Sequence, residues 1–177
     1  MSLHDLTLAT AVEEFRKTRA YAEKAFAQLR DEDFFFRLND QQCSIAAYIF
    51  HLSGNMRSRW TDLLTSDGEK PGRDREGEFT EVVQPREQLM ARWNEGWAAV
   101  FDALAALQPP DLEKIVRIRN EPHSVIQAII RQVAHYGWHV GQIVLLAKHI
   151  KTGRGEPWNY LTIPPGGSAA FNRSKGV

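Results

Sequence analysis

The residues best suited to chemistry in this sequence are two histidines, His135 and His139, in a long stretch without proline. No proline occurs between Ser124 and Gly153, so the stretch is predicted to form one helix. Residues four apart share a helix face, with Cβ atoms about 5–6 Å apart, so both imidazoles can bind one metal ion. Imidazole suits zinc, nickel, copper and iron. The same spacing also arises by chance in helices that bind no metal.

Two ligands are too few for a tight metal site, so a third must come from elsewhere in the fold. His51 is the candidate, because it lies on a polar face of the predicted second helix together with Ser44, Asn55, Ser58 and Asp62. That face is either solvated or directed into a cleft. Three histidines would leave coordination positions open, as catalytic sites require, and zinc would lower the pKa of bound water towards about 7.

Four segments have apolar residues at spacings of three, four and seven, the pattern of amphipathic helices. It predicts helices over Leu3–Arg30, Ser44–Ser66, Pro85–Gln108 and Ser124–Ile150. Ser44 is a good N-cap residue, and Ser124 and Gln127 have the capping-box form. The predicted fold class is therefore all-α, a four-helix bundle forming one domain over residues 1–177. Bundles often build metal sites from side chains on facing helices.

The segments between the helices are predicted to be irregular. Gly and Pro residues in Asp67–Gln84 indicate a long surface loop between the second and third helices. The alternating pattern of Lys114–Arg119 predicts a short extended piece that could pair with Phe79–Val83. After Gly153 the tail is predicted to be non-helical and to pack on the body of the protein.

Composition narrows the classes of partner. The formal net charge is zero, which argues against nucleic acid, and no apolar run approaches the roughly 18–20 residues of a membrane span. The first residues lack the basic and apolar regions of a secretory signal. With Cys43 as the only cysteine, no internal disulfide can form, so we expect a reducing, cytoplasmic setting. The expected partner is a small-molecule substrate.

The histidine pattern resembles a known superfamily. His51, followed far downstream by the motif His135-Tyr-Gly-Trp-His139-Val-Gly-Gln-Ile143, is similar to the DinB/YfiT-like superfamily of metal-dependent proteins. Three further stretches resemble one uncharacterised subgroup of this superfamily: Ser53–Trp60, Asp67–Pro71 and Leu161–Asn172. The resemblance therefore spans nearly the whole chain. The resemblance implies a four-helix bundle, a divalent metal held by His51, His135 and His139, and frequent dimers. Characterised members include transferases and isomerases that use small thiols.

Several other residues have two interpretations at this stage. Asn55 either contacts bound water or substrate or is simply part of a polar face. Gln142 either orients a ligand histidine or forms a hydrogen bond across the bundle. Arg73 and its neighbouring arginines either hold an anionic ligand or are solvated. We expect a pocket lined by the three histidines, Asn55 and part of the loop, with Arg73 binding the ligand rather than supporting the metal.

Three functions are compatible with the sequence. The first is an enzyme that acts on a small molecule and depends on a divalent metal, zinc or nickel. It would be either a transferase that uses a small thiol as a further cofactor or a hydrolase. The second is a non-catalytic dimeric protein that binds a small ligand or a metal. The third is a dimer whose histidines only fill a polar centre.

A homodimer is expected because the last helix has apolar residues on both sides.

Overall fold

The structure, a computed structural model, describes residues 2–80 and 82–176 and is mostly helical. The described elements are α1 (Leu3–Phe26), α2 (Ile45–Trp60), α3 (Arg86–Ala106), β1 (Ile115–Ile118), β2 (Glu121–Ser124), α4 (Val125–Gly153) and α5 (Ser168–Ser174). Short 3-10 turns lie at Glu32–Phe35, Gly77–Phe79 and Pro109–Glu113. The prediction of a predominantly helical fold is confirmed, with the addition of a small two-stranded antiparallel sheet.

The four long helices meet at a cluster of aromatic rings to which each contributes one. The ring of Phe15 on α1 lies 5.5 Å from that of Trp60 on α2, 6.1 Å from Trp97 on α3 and 5.7 Å from Tyr136 on α4. Such pairs add about 0.5–1.5 kcal/mol each to the gain from burial. The packing places α2 against both α3 and α4, and α1 against α4. The helix that carries His51 therefore lies beside the helix that carries the histidine pair.

Local signals in the sequence define where the helices begin. Ser44 accepts a hydrogen bond from the Ala47 backbone N–H at 3.1 Å at the start of α2. Ser124 and Gln127 form the expected capping box at the start of α4. Helix α2 ends at Trp60, not at the predicted Ser66, because Asp62 adopts a positive φ of 50° and its carbonyl accepts the N–H groups of the following turn.

The short extended piece pairs with a different partner from the predicted one. Val116 lies opposite His123 in a hairpin of β1 and β2, and Phe79–Val83 is not its partner; Glu81 lies outside the described residues. The hairpin forms because Arg119 and Asn120 both have positive φ, 55° and 63°, as a two-residue turn requires. Asn tolerates this backbone readily, whereas Arg does not, so the sequence gives little sign of the turn.

The C-terminal tail packs on the body as expected, but it is not wholly non-helical. Trp158 and Leu161 are partly buried against the core. The seven residues Ser168–Ser174 form helix α5, because they contain no Gly or Pro and include the strong helix former Ala. In the described part of the chain, none of the helices has the length and apolar character needed to span a membrane.

Candidate metal centre

The structure brings His51, His135 and His139 together. One potential ligand atom from each lies within 4.8 Å of the other two. The Nε2 atoms of His135 and His139 are 3.2 Å apart, close to the about 3.3 Å expected for two imidazoles on one tetrahedral zinc with bonds of about 2.0–2.1 Å. The three rings are inclined to one another by 76° to 84°. The donor set therefore fits a divalent metal, and the His135–His139 pair already has the separation of two ligands on one ion.

Hydrogen bonds to the outer nitrogens orient two of the three rings. Nδ1 of His51 lies 2.9 Å from the Glu78 carboxylate, and Nδ1 of His139 lies 2.8 Å from the Gln142 side-chain oxygen. Both partner atoms accept, so each Nδ1 carries a proton, and Nε2 is the nitrogen that each ring can offer to a metal. Gln142 thus has the orienting role that was one of its two interpretations. Nδ1 of His135 is buried and has no partner among the described residues.

Glu78 is a supporting residue that the sequence did not reveal. It comes from the loop, 27 residues after His51, and its side chain is only 9% exposed. Arg73 donates to both of its oxygens, at 2.7 and 2.8 Å. A Cβ on Gly54, one turn after His51 on α2, would collide with the Glu78 carboxylate. Gly54 therefore leaves the space that this carboxylate occupies, although a single glycine in a helix is too weak a signal to predict the contact.

Burial and charge keep the site in the protonation state that a metal requires. Burial, and secondarily the influence of His139 and His51, lowers the pKa of His135 to about 3. Burial also lowers the pKa of His139, partly opposed by the hydrogen bond to Gln142. For Glu78, burial raises the pKa, but the hydrogen bonds from His51 and Arg73 outweigh it and the net pKa is lowered. At neutral pH the His135 and His139 imidazoles are therefore neutral, and the carboxylate that supports His51 is ionised.

The loop that supplies Glu78 is fixed to both α2 and the hairpin. Arg59 on α2 donates to Glu69 at 2.9 Å, and Arg119 in the hairpin turn donates to the same carboxylate oxygen at 2.9 Å. Asp67 accepts the backbone N–H groups of Arg119 and Asn120 at 2.9 and 2.7 Å. The loop predicted at Asp67–Gln84 is thus a supported segment, and its turn Gly77–Phe79 packs against α2.

The expected ligand pocket is not among the cavities seen along the described residues, because neither the three histidines nor Asn55 lines any of these. Asn55 is buried, and its side-chain oxygen accepts from Gln132 at 2.7 Å and from Tyr136 at 3.2 Å. A cavity does lie beside the loop, but neither the histidines nor Asn55 line it. Arg73 is 5% exposed, and its guanidinium donates to both oxygens of Glu78. The structure therefore gives Arg73 a partner within the protein and does not leave it free for an anionic ligand.

The site is open towards the outer face of α4, the face on which Ile130, Trp138 and Leu145 are exposed. His135 and His139 are partly exposed, whereas His51 is buried. Trp138, which is 71% exposed, stacks on His139 with a ring separation of 6.2 Å, and Tyr48 lies 5.5 Å from the same imidazole. The three histidines are therefore not sealed in the core.

The other histidines lie apart from this cluster. His4 pairs with Glu113 at 3.2 Å, His123 contacts the Glu121 carbonyl at 3.0 Å, and the His149 ring lies 6.3 Å from that of Phe36. None of them joins a potential metal-binding group among the described residues.

The fold and the cluster define the class: a mostly helical protein with a candidate three-histidine metal centre. The chain belongs to the family described as "Protein of unknown function (DUF1572)", which matches residues 3–167. No similar protein was found among curated proteins or solved structures.

Proposed function

We propose that this protein is a DinB/YfiT-like four-helix bundle that binds one divalent metal ion, zinc or nickel, through His51, His135 and His139. The observation that carries the proposal is the convergence of three imidazole ligand atoms within 4.8 Å, two of them from rings oriented by acceptors at Nδ1. Chance His-x-x-x-His pairs do not require a third histidine from another helix or a buried carboxylate behind it. The packing of α2 on α4 and of α1 on α4 is compatible with a bundle.

The residues around the histidines hold the site in a state ready for binding. Glu78, fixed by Arg73, orients the buried His51, and Gln142 orients His139. Because imidazole ligands carry no negative charge, a bound ion keeps its full positive charge and attracts an anionic ligand. Partial exposure of His135 and His139 provides access from the outer face of α4.

The reaction class that fits this site is metal-dependent transfer or hydrolysis on a small molecule. A divalent ion polarises a substrate group and lowers the pKa of a bound water or thiol, so a small thiol cofactor fits the same chemistry. Activity would be tested by turnover of small electrophiles with and without a panel of thiols. Activity that disappears on metal removal and returns on reloading is the expected result.

A second candidate function is metal or small-ligand binding without turnover, in a dimer. It is favoured by one observation: neither the histidines nor Asn55 lines the large cavity beside the loop. Metal-loaded protein that shows no turnover on any electrophile of the panel, with or without thiols, would favour this candidate over the enzyme.

The metal assignment is tested by elemental analysis after reconstitution with zinc or nickel. We expect about one ion per chain, and loss of the ion in the variants His51→Ala, His135→Ala and His139→Ala, because two imidazoles are too few for tight binding. His149→Ala is the matched control, since His149 is on the same helix as the pair but outside the cluster. Unchanged stoichiometry in the His135 and His139 variants would exclude the site.

We also propose a homodimer formed through the outer face of α4, in a cytoplasmic setting. Ile130, Trp138 and Leu145 are 61%, 71% and 70% exposed on this helix and lie seven or eight residues apart, so they share one face. The single Cys43 supports a reducing compartment.

A further inference from the structure

Glu78 and Arg73 also form part of the wall of a separate cavity of about 940 Å³. The cavity lies between α2, the loop and the segment leading into α3, and the three histidines are not part of its lining. Small-molecule sites are typically about 300–1,000 Å³, so this cavity is large enough for a small organic ligand.

One face of α2 forms the floor of the cavity. Phe50, Gly54, Arg57 and Thr61 recur at spacings of three and four and all line it. Phe50 is partly buried, and the guanidinium of Arg92 on α3 lies over its ring at 4.9 Å. The floor therefore combines an aromatic surface with cationic groups.

Most charged groups around the cavity are already engaged within the protein. Arg73 and Glu78 neutralise each other. The Lys70 ammonium donates to the Ser66 hydroxyl at 2.7 Å and to the Asp67 carbonyl at 2.6 Å. Asp74 accepts the backbone N–H of Gly77 at 2.9 Å.

The guanidinium groups of Arg57 and Arg92 are not engaged in this way. Arg57 and Arg92 are exposed and form no ion pair with any residue in the described ranges, although both line the cavity. Asp62 is the remaining acidic residue of the lining, and its charge acts on Lys70. The guanidinium fork binds carboxylate or phosphate oxygens in bidentate fashion, and a ligand ring can pack on the Phe50–Arg92 surface.

We propose that this cavity is a binding site for a small organic anion, a carboxylate or phosphate ester with an apolar or aromatic part. Arg57 and Arg92 bind the anionic group, and Phe50 contacts the apolar part. The three histidines do not line this cavity, although Glu78 and Arg73 belong to its wall, and the proposal does not depend on the proposed metal function.

The test is calorimetric titration of the full chain with phenyl phosphate and with benzoate. The double variant R57Q/R92Q removes both guanidinium groups that form no ion pair in the described ranges, and R16Q/R173Q removes the same charge from exposed positions outside the cavity. We expect saturable binding of phenyl phosphate, weakened about 10- to 100-fold in R57Q/R92Q and unchanged in R16Q/R173Q, because a charged hydrogen bond contributes about 1.5–3 kcal/mol.

Each titration is repeated on protein treated with a chelator, because an anion could also bind at a metal. Binding that persists without metal supports the cavity as the site. Binding that is lost with the metal places the anion at the histidines and overturns the proposal. Equal weakening in both double variants, or no saturable binding of either probe at millimolar concentration, overturns it as well.

Discussion

Glu78 is the residue on which the candidate metal centre depends most, after its ligands. Its two oxygens accept from Arg73, and one of them also accepts from Nδ1 of His51. A buried carboxylate is costly unless its charge is matched, and here Arg73 matches it. The carboxylate accepts the Nδ1 proton of His51 and makes that imidazole a better ligand, in the way that carboxylates support metal-bound histidines elsewhere.

Replacing Glu78 by Gln is therefore expected to weaken metal affinity about 10- to 100-fold, the usual range for loss of such a support. The amide has nearly the same size, but it loses the charge and one of the contacts to Arg73. Zinc affinity would be measured by competition with a chelating dye. Glu76→Gln is the matched control, because Glu76 is in the same loop and its side chain is 86% exposed. A folded Glu78→Gln protein with normal zinc affinity would contradict the supporting role.

His135 makes the stability of the metal-free protein depend on pH. Its pKa is about 3 in the folded protein and 6.5 when unperturbed, so between these values the unfolded chain binds a proton that the folded chain does not. The free energy of unfolding must then rise with pH across this window. The contribution of His135 to it is lost as the pH falls from 6.5 to about 3. One such group contributes at most about 1.4 kcal/mol per pH unit, and partial exposure of His135 reduces this.

Urea unfolding of metal-free protein between pH 4 and 7 measures this dependence. This range covers most of the interval between the two pKa values of His135. We expect His135→Gln to flatten the rise in unfolding free energy with pH. His149→Gln, an exposed position on the same helix, is expected to keep the slope of the unchanged chain. If the slope is the same in all three proteins, burial of His135 is not its source.

At the level of elements, the close approach of α2 and α3 depends on Gly96. A Cβ there would lie 3.0 Å from the Ser53 Cα and 3.1 Å from the Met56 sulfur. The Ser53 contact is with backbone, which cannot move without shifting the whole of α2. This helix carries His51, so the spacing of the two helices also influences the candidate site.

Gly96→Ala is expected to destabilise the protein by about 1–2 kcal/mol. Overpacking costs about 1–3 kcal/mol, and the gain in helix propensity of up to about 1 kcal/mol offsets only part of it. Thermal or urea unfolding measures the difference. Gly153→Ala, where an added Cβ meets nothing within 4 Å, should change stability by less than about 0.5 kcal/mol. Stabilisation by Gly96→Ala would show that α2 and α3 can separate without cost.

For the whole molecule, the outer face of α4 presents the clearest surface for self-association. Ile130, Trp138 and Leu145 are exposed on it, and Gly137 and Gly141 leave open space between them. The partly exposed His135 and His139 are on the same helix. A second copy on this face would cover apolar surface next to the candidate metal centre.

Light scattering is expected to give a mass twice the 20.2 kDa of one chain at micromolar concentration. The double variant Trp138→Ser/Leu145→Glu should shift the protein to monomer, since it removes two apolar contacts and adds a charge to the interface. Leu3→Ser, at a position 77% exposed on α1, is the control that should remain dimeric. A monomeric unmodified protein would contradict the proposed assembly.

The sequence alone determined the features that depend on neighbours along one helix. Apolar spacing located α1 to α4, and the i, i+4 spacing placed His135 and His139 on one face, because helical geometry is local. The capping residues Ser44 and Ser124 were also readable, since their partners lie three residues away. The polar face of the predicted second helix offered His51 as the third ligand, and the family resemblance pointed to the same residue.

Only the tertiary structure decided which distant groups meet these residues. Glu78 reaches His51 across 27 residues, and Arg73 and Gly54 gain their roles only when the loop folds back on α2. The same folding buries Asn55 beside Gln132 and Tyr136, so its side-chain oxygen accepts hydrogen bonds from α4 and joins the two helices. The physical reason is that an irregular loop has no periodic pattern, and its path is set by contacts that close over long sequence separations.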